Sequence, residues 1–150
     1  MGNKLPVPLP VLYVQDYPAW TQQTIATLQS GKFSELDIAH LIEELGEMGN
    51  SHRMELVNRL RILLAHLLKW QYQYHQLSER WKESNGSSWR SKILEQRDSI
   101  QWLLEEYPSL RSYFSEAVSK AYPAAVRLTG KETKLPVDYF PIDCPYMVSS

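Results

Sequence analysis

The stretch RLRILLAHLLKWQYQY, Arg59–Tyr74, decides the fold class. Leu60, Leu63, Leu64 and Leu67 recur at the i, i+3, i+4 spacing that lines one side of an α-helix. Leu56 extends that stripe toward the N-terminus, and Trp70 falls within about 40° of it at about 100° per residue. Ser51 is placed to cap this helix. A helix with so heavy a leucine face needs neighbours to cover it.

The neighbours are legible on both sides. Upstream, Ile38, Leu41, Ile42, Leu45 and Met48 form a second periodic run, with Asp37 as the capping residue and Gly49 as the stop. An earlier helix starts at Asp16, with Pro18 in its first turn, carries Trp20, Ile25 and Leu28, and stops at Gly31. Residues 1–15 are punctuated by proline and read as an extended segment. Downstream, Gln76–Ser88 is polar with an Asn85-Gly86 turn signal, which predicts a linking loop whose Trp81 docks on the bundle. A fourth helix is expected from Trp89 to Tyr107, before Pro108. Ser109 would cap a fifth, carrying Leu110, Phe114, Ala117, Val118, Ala121 and Leu128, which Pro123 should kink or divide in two. After Gly130 the prolines Pro136, Pro141 and Pro145 rule out a long helix, so the tail should lie on the bundle through Leu135, Phe140 and Tyr146. Strand-length alternation, internal repeats and heptads are all missing. The expectation is an all-α, single-domain bundle of four to five helices over residues 16–150, with an irregular proline-rich C-terminal tail.

Composition narrows the function classes without choosing one. The 150 residues suit one domain, and 43% hydrophobic residues are ordinary for a globular protein. A formal charge of −1 gives no global attraction to nucleic acid or an anionic membrane. The charge is uneven, with two Lys/Arg against six Asp/Glu in residues 1–50 and nine against five in residues 51–100. Helices of complementary charge within one domain account for that. One cysteine, Cys144, excludes an internal disulfide and fits a reducing compartment. The N-terminal sequence MGNKLPVPLPVLYV has no sustained apolar core of the kind a signal peptide or spanning helix needs, so a cytoplasmic protein with no membrane partner is expected.

Several polar residues sit in awkward places. Gln96 and Arg97 fall within the apolar arc of Trp89, Ile93, Ile100, Leu103 and Leu104. A guanidinium in a core demands a carboxylate, and Glu44, at the edge of the acidic helix's apolar arc, is the best-placed partner. A buried structural trio of Glu44, Gln96 and Arg97 is therefore expected. Asp37, His40, Glu44 and Glu47 share one helix edge, and His66 can add an imidazole, which makes them the candidates for a metal site. A di-metal carboxylate bundle needs a second Glu-x-x-His copy, and the chain has one Asp-x-x-His only, so neither a metal nor another cofactor is assigned. Cys144 has no nearby histidine in sequence, and no nucleophile motif or phosphate-cradling glycine loop occurs, so no catalytic residue is assigned.

The segments LDIAHLIEELGEMG, LLAHLLKWQYQ, SWRSKILEQR, YPSLRSYFSEAV and LPVDYFPIDCPY, in that order and spacing, resemble the bacterial, largely cyanobacterial domain-of-unknown-function family numbered 29. The resemblance covers about Tyr17 to Tyr146. It implies a compact all-helical domain and no established activity. The matching positions are Asp37, Glu43, Glu44 and Gly49, then His66–Gln71, then Trp89, Gln96 and Arg97. The chain departs from the family pattern at Pro123 and in stopping soon after Cys144-Pro145-Tyr146, where members often add an amphipathic helix.

Three functions remain in order. The first is a small helical interaction or adaptor module, binding another protein or itself through Trp70, Tyr72, Tyr74 and Trp81, since aromatic side chains are favoured anchors. The second is a metal-dependent hydrolase or other enzyme built on the acidic and histidine cluster. The third, single-strand nucleic-acid binding along Arg80–Arg97, is disfavoured because Glu79, Glu83 and Glu95 dilute the basic patch.

Overall fold

A computed structural model describes residues 7–73 and 79–146, and for residues 79–86 the backbone alone. Five α-helices and no strand occur among the described residues, so the fold is all-α. They are α1 (Leu9–Gln15), α2 (Tyr17–Ser30), α3 (Ile38–Tyr72), α4 (Glu79–Glu106) and α5 (Phe114–Thr133). Packing divides the chain into two compact units, Met1–Asn50 and Ser51–Ser150.

In the first unit the local signals work largely as the residues dictate. The Asp16 side chain accepts the Ala19 N–H at 3.2 Å, Pro18 occupies the first turn of α2, and Gly31 ends the helix at φ 75°, where only glycine is unstrained. The segment before it is not extended. Leu9–Gln15 forms α1, with Pro8 as N-cap and Pro10 inside the first turn, where a missing N–H breaks no bond. Prolines that looked like punctuation therefore start a helix.

The two helices expected on either side of Gly49 are one 35-residue helix, α3. Glycine is permitted at a helix stop but does not impose one. Gly49 takes no positive φ, and nothing crowds the position, so the ladder of hydrogen bonds continues through it.

The second unit holds the leucine core. Leu56, Leu60, Leu64 and Leu68 of α3 are fully buried, with Ile100, Leu103 and Leu104 of α4 and Ala117, Ala121 and Ala125 of α5 packed around them. Helix α4 begins at Glu79, ten residues before the expected start, so the backbone passes through Asn85-Gly86 as helix and not as a loop. A 3₁₀ stretch, Pro108–Tyr113, precedes α5, so Ser109 lies in a tighter turn and not at the α-helix cap. Pro123 does not divide α5, which runs unbroken from Phe114 to Thr133. Its ring is on the exposed side, while Ala121, Tyr122, Ala125 and Val126 on either side of it are buried and hold both halves in register.

The tail behaves as expected. Lys134 turns the chain at φ 61°, and the returning backbone passes so close to Gly130 that a side chain there would meet the Leu135 carbonyl at 3.2 Å. Phe140 is buried, Leu135 and Tyr146 pack on the core, and the Tyr122 hydroxyl donates to the Pro141 carbonyl at 2.7 Å.

Candidate functional site

Among the described residues two arrangements carry chemistry, one in each unit. In the first unit, three aromatic side chains of α1 and α2 gather over the start of α3. Tyr13 donates its hydroxyl to Glu44 Oε1 at 2.5 Å, and Tyr17 donates to the other carboxylate oxygen. The Tyr13 ring stacks on His40 with centroids 3.9 Å apart and meets Trp20 edge-on at 5.0 Å. The two phenol bonds hold the Glu44 carboxyl below its ordinary range, and the same bonds push both phenols upward.

Asp37 sits beneath this group, buried. Its Oδ1 accepts the His40 N–H at 3.3 Å, which is the bond an N-cap makes to the third residue of a helix. Its Oδ2 contacts His40 Nδ1 at 2.6 Å and accepts the Trp20 indole N–H at 3.3 Å. Burial pushes the Asp37 carboxyl up, but the bonds from the His40 ring, the His40 backbone and Trp20 together outweigh it, and the carboxyl is held down. An aspartate paired with a histidine has the make-up of an acid–base couple. Here every bond of Asp37 is also structural, tying Trp20 of α2 to the first turn of α3.

Beside this cluster the unit is turned inside out. Among the described residues its buried side chains are Trp20, Thr24, Thr27 and Asp37, only one of them apolar. Four large apolar residues of α3 lie outside: Ile38 is 53% exposed, Ile42 66%, Leu45 62% and Met48 66%. Spaced at four, three and three residues, these four side chains form one continuous stripe along the first part of α3.

In the second unit, a cleft of about 700 Å³ opens between α3, α4 and the start of α5. Its floor is apolar, from Leu63, Leu67, Ile100, Leu104 and Phe114, and Tyr146 of the tail forms part of its wall. Arg97, Gln101, Glu105 and Arg111 supply the polar groups. Gln101 donates to Glu105 at 3.2 Å, and neither guanidinium forms an ion pair among the described residues.

The residues singled out in the sequence fall as follows. Arg97 is exposed, at the lip of this cleft, and not in a core; Gln96 beside it is half-buried with its Oε1 unbonded among the described residues. Glu44, its expected partner, belongs to the first unit, where its oxygens take the two tyrosine hydroxyls. Helical phase placed Arg97 near the apolar arc but not how far around the arc the core extends. Of the metal candidates, Asp37, His40 and Glu44 are engaged as described, Glu47 is exposed, and His66 belongs to the second unit. Among the described residues no three His, Cys, Asp or Glu side chains are grouped to hold a metal ion. Burial and the nearby Lys69 and Lys92 hold the His66 imidazole low. Of the aromatic quartet, Trp70 faces Trp89 with centroids 6.2 Å apart, and Tyr72 is half-buried, edge-on to Phe140 at 5.5 Å. Tyr74 and the Trp81 side chain lie outside the described residues, as do the side chains of Arg80, Lys82 and Glu83 in the basic segment. Among the described residues no helix is long and apolar enough to cross a membrane.

Sequence reasoning missed Tyr13, Tyr17 and Trp20 as a group. A ring recurring at each turn from Tyr13 to Trp20 is the available signal, hidden because the prolines before residue 11 suggest extended chain.

No curated protein and no solved structure gives a significant match to the chain. A family model does, over residues 12–150, which takes in all five helices except the first turn of α1. The match spans nearly the whole chain, and the chain belongs to the family described as domain of unknown function DUF29.

Proposed function

We propose that this protein is a helical interaction module, and that its contact surface is the apolar face of α3 from Ile38 to Met48. The observation that carries this is the inverted first unit: among the described residues most of its aliphatic side chains lie in water while its buried set is mainly polar. Of the seventeen exposed large hydrophobics among the described residues, eleven fall before residue 50. Contiguous apolar surface of that kind is costly in water and marks a place that another surface covers.

The charge around the face selects the partner. The first unit has six acidic residues against two basic, and Glu44 lies at the edge of the stripe, next to Met48 around the helix. The fitting occupant is a partner helix with apolar residues at i, i+3, i+4 and i+7 and Lys or Arg on its flanks, the helix-on-helix mode of recognition. The aromatic cluster, in this reading, is a clamp that keeps α1 and α2 off that face.

Fluorescence anisotropy with a labelled amphipathic peptide of that pattern tests it. The lysine-flanked peptide should bind, more weakly as salt rises, and Ile42→Glu with Leu45→Glu should abolish binding while circular dichroism stays unchanged. Equal binding of a glutamate-flanked peptide, or binding that survives both substitutions, would overturn the proposal. A dimer in sedimentation that Ile42→Glu dissociates would instead make a second copy the occupant.

A further inference from the structure

The cleft of the second unit is independent of that surface and has a chemistry of its own. Its volume of about 700 Å³ lies inside the range of small-molecule sites, about 300–1,000 Å³, and its lining joins an apolar floor to the polar side chains Arg97, Gln101, Glu105 and Arg111. The floor comes from three helical segments whose side chains are fixed by the core. Leu63, Leu104 and Phe114 are buried members of that core, and Leu67 is half-buried over it. Such a floor is formed before any ligand arrives.

The polar groups define what fits. Arg97 projects from α4 and Arg111 from the 3₁₀ stretch that precedes α5, so two guanidiniums from different elements border one cavity. Glu105 borders it too, but its carboxylate already accepts from Gln101 at 3.2 Å. Neither arginine has an acidic partner among the described residues, although each presents a planar fork of donors suited to a carboxylate. An apolar floor with unpaired guanidiniums at its edge is the complement of a molecule with a hydrocarbon body and one anionic end.

We infer that the cleft binds an amphipathic carboxylate, with the chain on Leu63, Leu67, Ile100 and Phe114 and the carboxylate between Arg97 and Arg111. A hydrocarbon without the charge would lose the guanidinium contacts. A short carboxylate would lose the floor.

Isothermal titration of the full-length protein with decanoate, below its micelle concentration, is the test, with decanol and butyrate as comparators. Decanoate should bind at least about tenfold more tightly than either comparator, the loss expected when one charge-assisted contact or several buried methylenes are removed. Arg97→Ala and Arg111→Ala, both on exposed side chains, should each weaken decanoate about tenfold and leave decanol unchanged. Leu67→Trp should fill the cavity and reduce both ligands. Failure of decanoate to bind, or equal binding of decanoate and decanol that neither arginine variant alters, would overturn the assignment. The arginine variants lie outside the core, so they decide the matter even if Leu67→Trp misfolds.

Discussion

Tyr13 of α1 donates its hydroxyl to Glu44 of α3 at 2.5 Å, thirty-one positions along the chain, while its ring lies flat on His40. One side chain thereby fixes a short N-terminal helix to the start of the longest helix. An isolated seven-residue helix would not persist in water, so α1 exists by virtue of such contacts. Tyr13→Phe keeps the stacking and removes the bond. The expected result is faster amide hydrogen exchange throughout α1, with the core amides of α3 beyond Leu56 unchanged.

The same cluster sets a pH window. Asp37 and Glu44 are held below ordinary carboxylate values, so their contribution is complete above an unfolded pKa of about 4 and is lost as pH falls through that range. Tyr13 and Tyr17 are raised, so theirs is complete below about pH 10 and is lost as pH rises beyond it. Protection of α1 and α2 measured across pH should show a plateau with both limbs. Tyr13→Phe should shrink both, since one bond joins an acid-side and an alkaline-side group.

Position along α3 should separate stability from binding. Leu64 is fully buried, and Leu64→Ala should cost roughly 2–5 kcal/mol in urea denaturation. Ile42, two-thirds exposed, should cost within about 0.5 kcal/mol as alanine. A large loss at Ile42 would mean that its face is already covered within the molecule.

Arg97→Ala is decisive for the buried-pair expectation. A paired guanidinium in a core would cost about 3–5 kcal/mol to remove. Arg97 is exposed, so the change should stay within about 0.5 kcal/mol by the same measurement.

Two residues weaken helices that nevertheless form. Gly49 lies inside α3 with open space where a Cβ would stand, so Gly49→Ala should stabilise by about 0.5–1 kcal/mol. Pro123 is exposed inside α5, and Pro123→Ala should restore a backbone bond and raise stability by about 1–2 kcal/mol, net of the entropy regained by the unfolded chain. Thermal or urea unfolding of each single variant checks both.

The helical class, the leucine core and several helix ends follow from local sequence alone. The period of Leu56, Leu60, Leu63, Leu64 and Leu67 admits one secondary structure, and Asp16, Asp37 and Gly31 act on backbone groups within a few residues of themselves. Phe140 and Tyr146 were legible for the same reason, as large apolar side chains in a segment that proline keeps from forming a helix of its own. Other local signals permit an outcome without imposing it. Gly49 and Asn85-Gly86 allow the helix to continue, buried neighbours on both sides of Pro123 keep α5 whole, and α1 forms where prolines suggest extended chain. Arg97 lies on the lip of a cleft and not in a core, because periodicity gives a direction around a helix and says nothing of how far its neighbours reach. The Tyr13–Glu44 bond and the two arginines of the cleft join residues distant in sequence, and only the packing of helices brings them together.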